Sequence, residues 1–204
     1  MMRAAPWSRS LAPRVVSIAM AVALELRAIT KRYVAGVGGC MASAEVLRRI
    51  DVQVHEGESI AIVGGAGAGK STLLLCAAGL LVPDSGEVSW FGDHGRAAAI
   101  LRATYHFAPG RYERDRAAGR RQERGAPHLH VIDSVDALAG DVIQRLAGWI
   151  ERRRKRGDAI LVAARDGDVG RRLASRCMTM RCGELHGDGR PATAARVAER
   201  ARIC

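Results

Sequence analysis

Hydrophobic and polar positions along the chain fall into short runs with two different periods. Residues 22–33, VALELRAITKRY, alternate apolar and polar side chains, the period of a strand with one buried face. The glycine-rich stretch that follows predicts a loop over residues 35–42. Residues 46–54, VLRRIDVQV, then read as a second strand that ends at the turn signal Glu56-Gly57-Glu58. Residues 59–65, SIAIVGG, form a continuous apolar run, the pattern of a strand covered on both faces. Residues 71–81, STLLLCAAGLL, lose the alternation, are rich in helix formers, and are closed from beyond by Pro83.

Residues 87–91, EVSWF, give another strand, after which residues 92–127 lose their pattern and become strongly charged over 111–124, predicting a loop or short helices. Order returns at Leu129-His130-Val131-Ile132-Asp133. The helix after it puts Val142, Ile143, Leu146, Ala147 and Ile150 on one face. An apolar strand over 159–163, a helix near 169–176, a strand near 178–181 and a basic helical tail from Ala192 complete the series. Strands alternating with helices predict an α/β fold with a mostly parallel central sheet and helices on both faces.

At 204 residues the chain has room for one sizeable core, so one domain is expected over residues 20–204, with residues 1–19 as an extension. Arg3, Arg9 and Arg14 precede the apolar run 15–24 in the manner of a signal peptide. That run leads straight into the first strand and is too short to cross a bilayer, which points to Met20 as the natural start. The net charge of +11 would ordinarily suggest an acidic partner. Only Lys31, Lys70 and Lys155 are lysines, however, and alanine and glycine are abundant, so the excess of arginine reads as coding bias and no specific nucleic-acid binding is expected. The basic run 152–156 closes a helix, where cations complement the dipole. Cys40, Cys76, Cys177, Cys182 and Cys204 form no C-x-x-C pair, which argues against a zinc site or a disulfide framework and for reduced thiols in a cytoplasmic protein.

Chemistry enters with Gly64-Gly65-Ala66-Gly67-Ala68-Gly69-Lys70-Ser71, which satisfies G-x-x-x-x-G-K-[ST] between a predicted buried strand and a predicted helix. In such a P-loop the glycines let backbone N–H groups turn inward on phosphate oxygens, and the helix adds the positive end of its dipole. Lys70 would neutralise the β- and γ-phosphates of ATP, Ser71 would ligate Mg²⁺, and Thr72 continues the cradle. Asp133 ends an apolar strand, where a P-loop protein needs a carboxylate to hold Mg²⁺ through water.

From Ala23 to Val88, ALELRAITKRY followed by VLRRIDVQVHEGESIAIVGGAGAGKSTLLLCAAGLLVPDSGEV resembles the N-terminal half of an ABC transporter ATPase subunit. GDAILVAARDGDVGRRLASRCMTMRCGEL is similar to that family's last strands. The resemblance implies a three-layer P-loop NTPase fold with an added N-terminal antiparallel β subdomain. It also implies adenine stacking on Tyr33, attachment to the inner face of a cell membrane, and a permease or second P-loop subunit as partner. The departures are as informative. Asp133 follows Lys70 by only 63 residues, too few for the family's helical subdomain, which should be largely missing. No LSGGQ-like signature is present, the nearest remnant being AAGRRQ over 117–122. Ser134 stands where the family has its catalytic glutamate, Arg165 where it has its switch histidine, and Ala139 where it has its D-loop aspartate. Losing a general base alone removes about 10²- to 10⁴-fold in rate. The expectation is therefore an ATP-binding subunit with weak or absent hydrolysis. Two alternatives stand beside it: a RecA-like motor ATPase, in which a serine after the aspartate of VIDSVDAL is normal, and a decayed pseudo-ATPase.

Overall fold

The computed structural model describes residues 21–37, 40–107 and 126–187, with β1 at Val22–Val37, β2 at Cys40–His55 and β3 at Ser59–Val63. β1 and β2 pair antiparallel all the way to Val37↔Cys40, so of the loop expected over 35–42 residues 35–37 and 40–42 are strand. An antiparallel ladder propagates through backbone hydrogen bonds, and glycine weakens such a ladder without blocking it. β4, Ser85–Trp90, joins the other edge of β1 and makes a three-stranded antiparallel sheet in the order β2-β1-β4.

This sheet keeps its apolar face inward by means of two irregularities. Leu24, Leu26 and Ile29 of β1 and Leu47, Ile50, Val52 and Val54 of β2 are all buried, although the spacing slips by one residue in each strand. Ala28 and Arg49 take positive φ angles of 49° and 50° at those slips, so each bulge returns the next apolar side chain to the core. Strict alternation in the sequence could not foresee the offset.

The second sheet has six strands in the order β5-β6-β7-β3-β8-β9. Its members are β3, β5 (Ala103–Phe107), β6 (Leu129–Asp133), β7 (Ala159–Ala164), β8 (Arg176–Arg181) and β9 (Glu184–His186). All pairs are parallel except β8 with β9. On one side Ile60, Ile62, Leu129, Val131, Leu161 and Ala163 pack with Leu73 and Leu74 of α1, Lys70–Ala77, and with the inner face of the antiparallel sheet. On the other side Ile132, Ile160, Val162 and Ala164 pack with α3, Gly140–Arg154, and α4, Gly167–Leu173. β3 and β7 read as unbroken apolar runs because both of their faces are covered.

Two elements emerge from the stretch that lacked a pattern: α2, Arg96–Arg102, and the edge strand β5. Among the described residues β5 pairs with β6 alone, and its alternation of Ala103, Tyr105 and Phe107 with Thr104 and His106 spans only five residues, too short to stand out beside the charged stretch. The expected helix over 71–81 ends at Ala77, and the helix expected near 169–176 spans Gly167–Leu173. The basic tail from Ala192, the extension 1–19 and the signature remnant at 117–122 lie outside the described residues.

The β5–β6 edge also buries polar rings that hydropathy did not mark. His106, His128 and His130 are nearly inaccessible and lie near Trp149 of α3, with the His130 and Trp149 ring centroids 4.9 Å apart. The His128 ring meets Thr104 Oγ1 at 2.7 Å, and its backbone N–H donates to Asp158 Oδ1 at 3.0 Å. Asp158 Oδ2 lies 3.4 Å from His130 Nε2 and 3.5 Å from Arg153 Nη1. Burial, with help from neighbouring positive charge, pushes His128 down to about 4. Burial also lowers His130 against the pull of Asp158, and Asp158 itself is held below its ordinary value by His130 and Arg153.

A histidine whose folded pKa is depressed stabilises the fold fully above its unfolded pKa, and that contribution is lost as pH falls toward the folded value. Thermal unfolding should therefore move to lower temperature as pH drops from 7 to 4.5, by up to about 1.4 kcal/mol per pH unit for each histidine. His128→Gln, which cannot take up the proton, should flatten that dependence. A flat profile for the wild-type chain would contradict the assignment.

Candidate functional site

The loop between β3 and α1 is fixed by its glycines. Gly64 and Gly69 are buried, and Gly67 and Gly69 have φ angles of 74° and 104°, which other residues rarely adopt. A Cβ on Gly64 would stand 2.3 Å from the Met180 carbonyl oxygen of β8, and one on Gly69 would stand 2.6 Å from the Val46 carbonyl oxygen of β2. Two neighbouring strands thus press their backbones onto the loop. Cross-links reinforce the fit: Gly64 N–H donates to the Ala164 carbonyl at 3.2 Å, Gly183 N–H to the Ala68 carbonyl at 3.1 Å, and Arg48 N–H to the Gly183 carbonyl at 2.8 Å. The crown Gly65, Ala66 and Gly67 is left facing solvent.

Beside the crown is an open cleft lined by Gly67, Ala68, Gly69, Lys70, Ser71 and Thr72. Lys70 Nζ folds back onto its own loop and donates to the carbonyls of Gly64 and Gly65, each at 2.7 Å. Burial lowers its pKa, with Asp136 and Asp133 opposing the shift and Arg165 adding to it. Ser71 is exposed at the first turn of α1, whose N-cap is Gly69 with no side-chain cap, so the first N–H groups have no side-chain acceptor.

Asp133 is buried at the end of β6. Tyr105 Oη donates to its Oδ2 at 2.9 Å and Ser134 N–H to its Oδ1 at 2.7 Å. Burial and this hydrogen bond raise the Tyr105 pKa, so the phenol stays protonated and continues to donate. Ser134 sits at φ 62°, and Ala139 caps α3 without a side-chain contact. Arg165 follows directly on β7. Its backbone N–H donates to Asp136 Oδ1, and its Nε lies 3.8 Å from Asp136 Oδ2.

The structure brings the loop, Lys70, Asp133 and the position of Arg165 to one end of the parallel sheet. Tyr33 is elsewhere: it pairs with Ala44 on the long hairpin, is 43% exposed and does not line the cleft. Sequence reasoning missed Tyr105 and Asp136 as members of the site. Asp136 could have been found, since it lies three residues past a strand-end aspartate; Tyr105 was harder to find, because its strand is a five-residue alternation and its pairing with β6 is set by the fold.

A metal's needs can be tested against these residues. Among the described residues no cluster of three or more His, Cys, Asp or Glu could hold an ion on its own. One buried carboxylate and one exposed hydroxyl fit Mg²⁺, which keeps waters and relies on substrate phosphates for its other ligands.

The family model described as ABC transporter matches residues 47–125. The lipoprotein-releasing system ATP-binding protein LolD of Ruegeria sp. (strain TM1040) is 35% identical over 134 residues, 65% of this chain and 52% of that protein. The chain thus spans about half the length of the curated relatives it matches. Among solved structures, the ATP-binding cassette MJ0796 as a dimer bound to ADP and Pi overlays with a TM-score of 0.58 at 20% identity, covering 80% of this chain and 97% of that one. CbiO1 from Clostridium perfringens, part of the transporter complex cbiONQ, gives 0.64 at 17%, covering 89% and 94%. At these identities the overlays show the fold. Among the described residues no helix is long and apolar enough to cross a membrane.

Gly64→Ala should destabilise the fold by about 1–3 kcal/mol, since the added methyl must displace a strand carbonyl rather than a side chain. Gly65→Ala, with nothing within 4 Å of its Cβ, should change the unfolding midpoint little. Equal denaturation curves for the two variants would refute the close fit.

Proposed function

From the ABC transporter family match over residues 47–125 and the similarity to ATP-binding relatives, we propose that this chain carries an ATP-binding domain of that family, binds Mg-ATP over residues 64–72 and hydrolyses it slowly or not at all. The observation that supports this best is the loop itself: exposed backbone at Gly65 to Gly67, an uncapped helix N-terminus, and Lys70 held only by two carbonyls that phosphate oxygens can replace. Anions favour such a helix end, and Lys70 adds a full positive charge. Ser71 and Asp133 would hold Mg²⁺, which supplies charge neutralisation on the phosphates when bound. Tyr105 and the Ser134 N–H would keep the Asp133 carboxylate aimed. Tyr33 as the adenine platform remains part of the proposal through its exposed ring at the hairpin.

Slow turnover follows from what occupies the remaining positions. Ser134 carries no base, and its backbone is used to orient Asp133. The carboxylate that acts on Lys70 beyond Asp133 is Asp136, and it is engaged with Arg165. The antiparallel sheet over α1 and the family match favour an ABC-type unit over a RecA-like motor. Its partners would be a membrane permease subunit and a second P-loop subunit bearing an intact signature, which would place it at the inner face of a membrane.

Equilibrium titration with ATP and ADP, with and without Mg²⁺, tests the binding. Lys70→Ala should weaken ATP at least tenfold, which is about 1.4 kcal/mol. Equal affinities for variant and wild type would refute nucleotide binding at this loop and leave a decayed relic as the reading. Steady-state hydrolysis should fall well below roughly 1 s⁻¹, the lower end of common enzyme turnover. A rate at or above it would show that some carboxylate supplies the base.

A further inference from the structure

We propose that Asp136 is a built-in competitor of the terminal phosphate, an internal carboxylate that occupies Arg165 and thereby lowers the chain's preference for nucleoside triphosphate over diphosphate. The inference rests on the nucleotide-binding reading above.

The placement comes from the backbone. Val63 and Ala164 are register partners on β3 and β7, and Gly64 N–H donates to the Ala164 carbonyl, so Arg165 leaves the sheet beside the first glycine of the loop. β6 is the other neighbour of β7, and the single 3₁₀ turn Val135–Ala137 that follows it carries Asp136 to the same end of the sheet. Asp136 then meets Arg165 twice, at the backbone N–H through Oδ1 and at Nε through Oδ2. The second contact, at 3.8 Å, is an ion pair longer than a hydrogen bond, and the Arg165 side chain is 68% exposed, so the guanidinium is loosely held. Asp136 is also the strongest of the charges acting on Lys70, ahead of Arg165 and Asp133.

One carboxylate thus contacts Arg165 and acts through its charge on Lys70. A triphosphate brings further negative charge to that end of the cleft, and it must compete with Asp136 for the same donors while being repelled by it. A diphosphate stops one phosphate short and meets little of this competition. A residue can bias a choice between ligands only through a difference in interaction, and the terminal phosphate is where that difference lies.

The test compares binding of Mg-ADP and of a non-hydrolysable triphosphate, Mg-AMP-PNP, by calorimetry. Asp136→Asn keeps an oxygen to accept the Arg165 N–H but removes the charge. It should raise triphosphate affinity about fivefold, the order expected of a like charge at a part-exposed site, with diphosphate affinity changed less than twofold. Arg165→Ala should lose triphosphate affinity selectively, and in the double variant Asp136→Asn should no longer improve it. A general structural role for Asp136 would instead lower the unfolding midpoint and weaken both nucleotides together. That result, or an unchanged ratio in Asp136→Asn, overturns the proposal while leaving nucleotide binding intact. Failure of the wild-type chain to bind either nucleotide removes the reading beneath it, and the proposal falls with it.

Discussion

The turn from β3 into α1 exists because two strands of different sheets lay their backbones against it at distances no side chain could tolerate. Val46 of β2 and Met180 of β8 place carbonyl oxygens where a Cβ on Gly69 or Gly64 would stand. Loop, antiparallel sheet and central sheet are therefore one packed unit. The energy that holds the loop comes from the cores on either side of α1. Preorganisation of this kind lowers what an anion must spend on ordering its site.

The same packing explains which polar groups gather at the C-terminal edge of the parallel strands. β3, β6 and β7 run side by side, so whatever follows each of them in sequence emerges at one end: the loop after Val63, Asp133 and Asp136 after β6, and Arg165 after β7. Charges from three distant segments then act on one another. Lys70 feels two carboxylates and one guanidinium, and Asp136 shares itself between the cations. Asp133 is held differently, by a half-buried phenol from β5 and its own neighbour's N–H, which fixes the carboxylate in one orientation.

Opposite this edge the molecule contains a second polar device of another character. His106, His128, His130 and Asp158 are buried beside Trp149; the His128 ring meets Thr104 and its backbone N–H meets Asp158. His130 Nε2 lies 3.4 Å from Asp158 Oδ2 without a hydrogen bond, and burial holds His128 and His130 toward the neutral form. Such a cluster contributes to stability only while the rings stay uncharged, so it ties the integrity of the β5–β6 edge to pH without touching the loop.

Local chemistry made much of this protein legible in its sequence. Unbroken apolar runs announce strands buried on both faces, as in SIAIV and AILVAA, because burial on both sides leaves no place for a polar residue. G-x-x-x-x-G-K-S announces the loop, because glycine reaches positive φ without strain and tolerates close backbone contact. Register slips at Ala28 and Arg49, the continuation of the hairpin through glycines, and the edge strand ATYHF were decided by the tertiary structure. Each is fixed by a partner strand's hydrogen bonds and not by the segment's own pattern. Tyr105 on Asp133 and Asp136 on Arg165 belong to the same class. Their meaning lies in contacts across 28 and 29 residues of chain, and only a folded sheet brings those residues within reach.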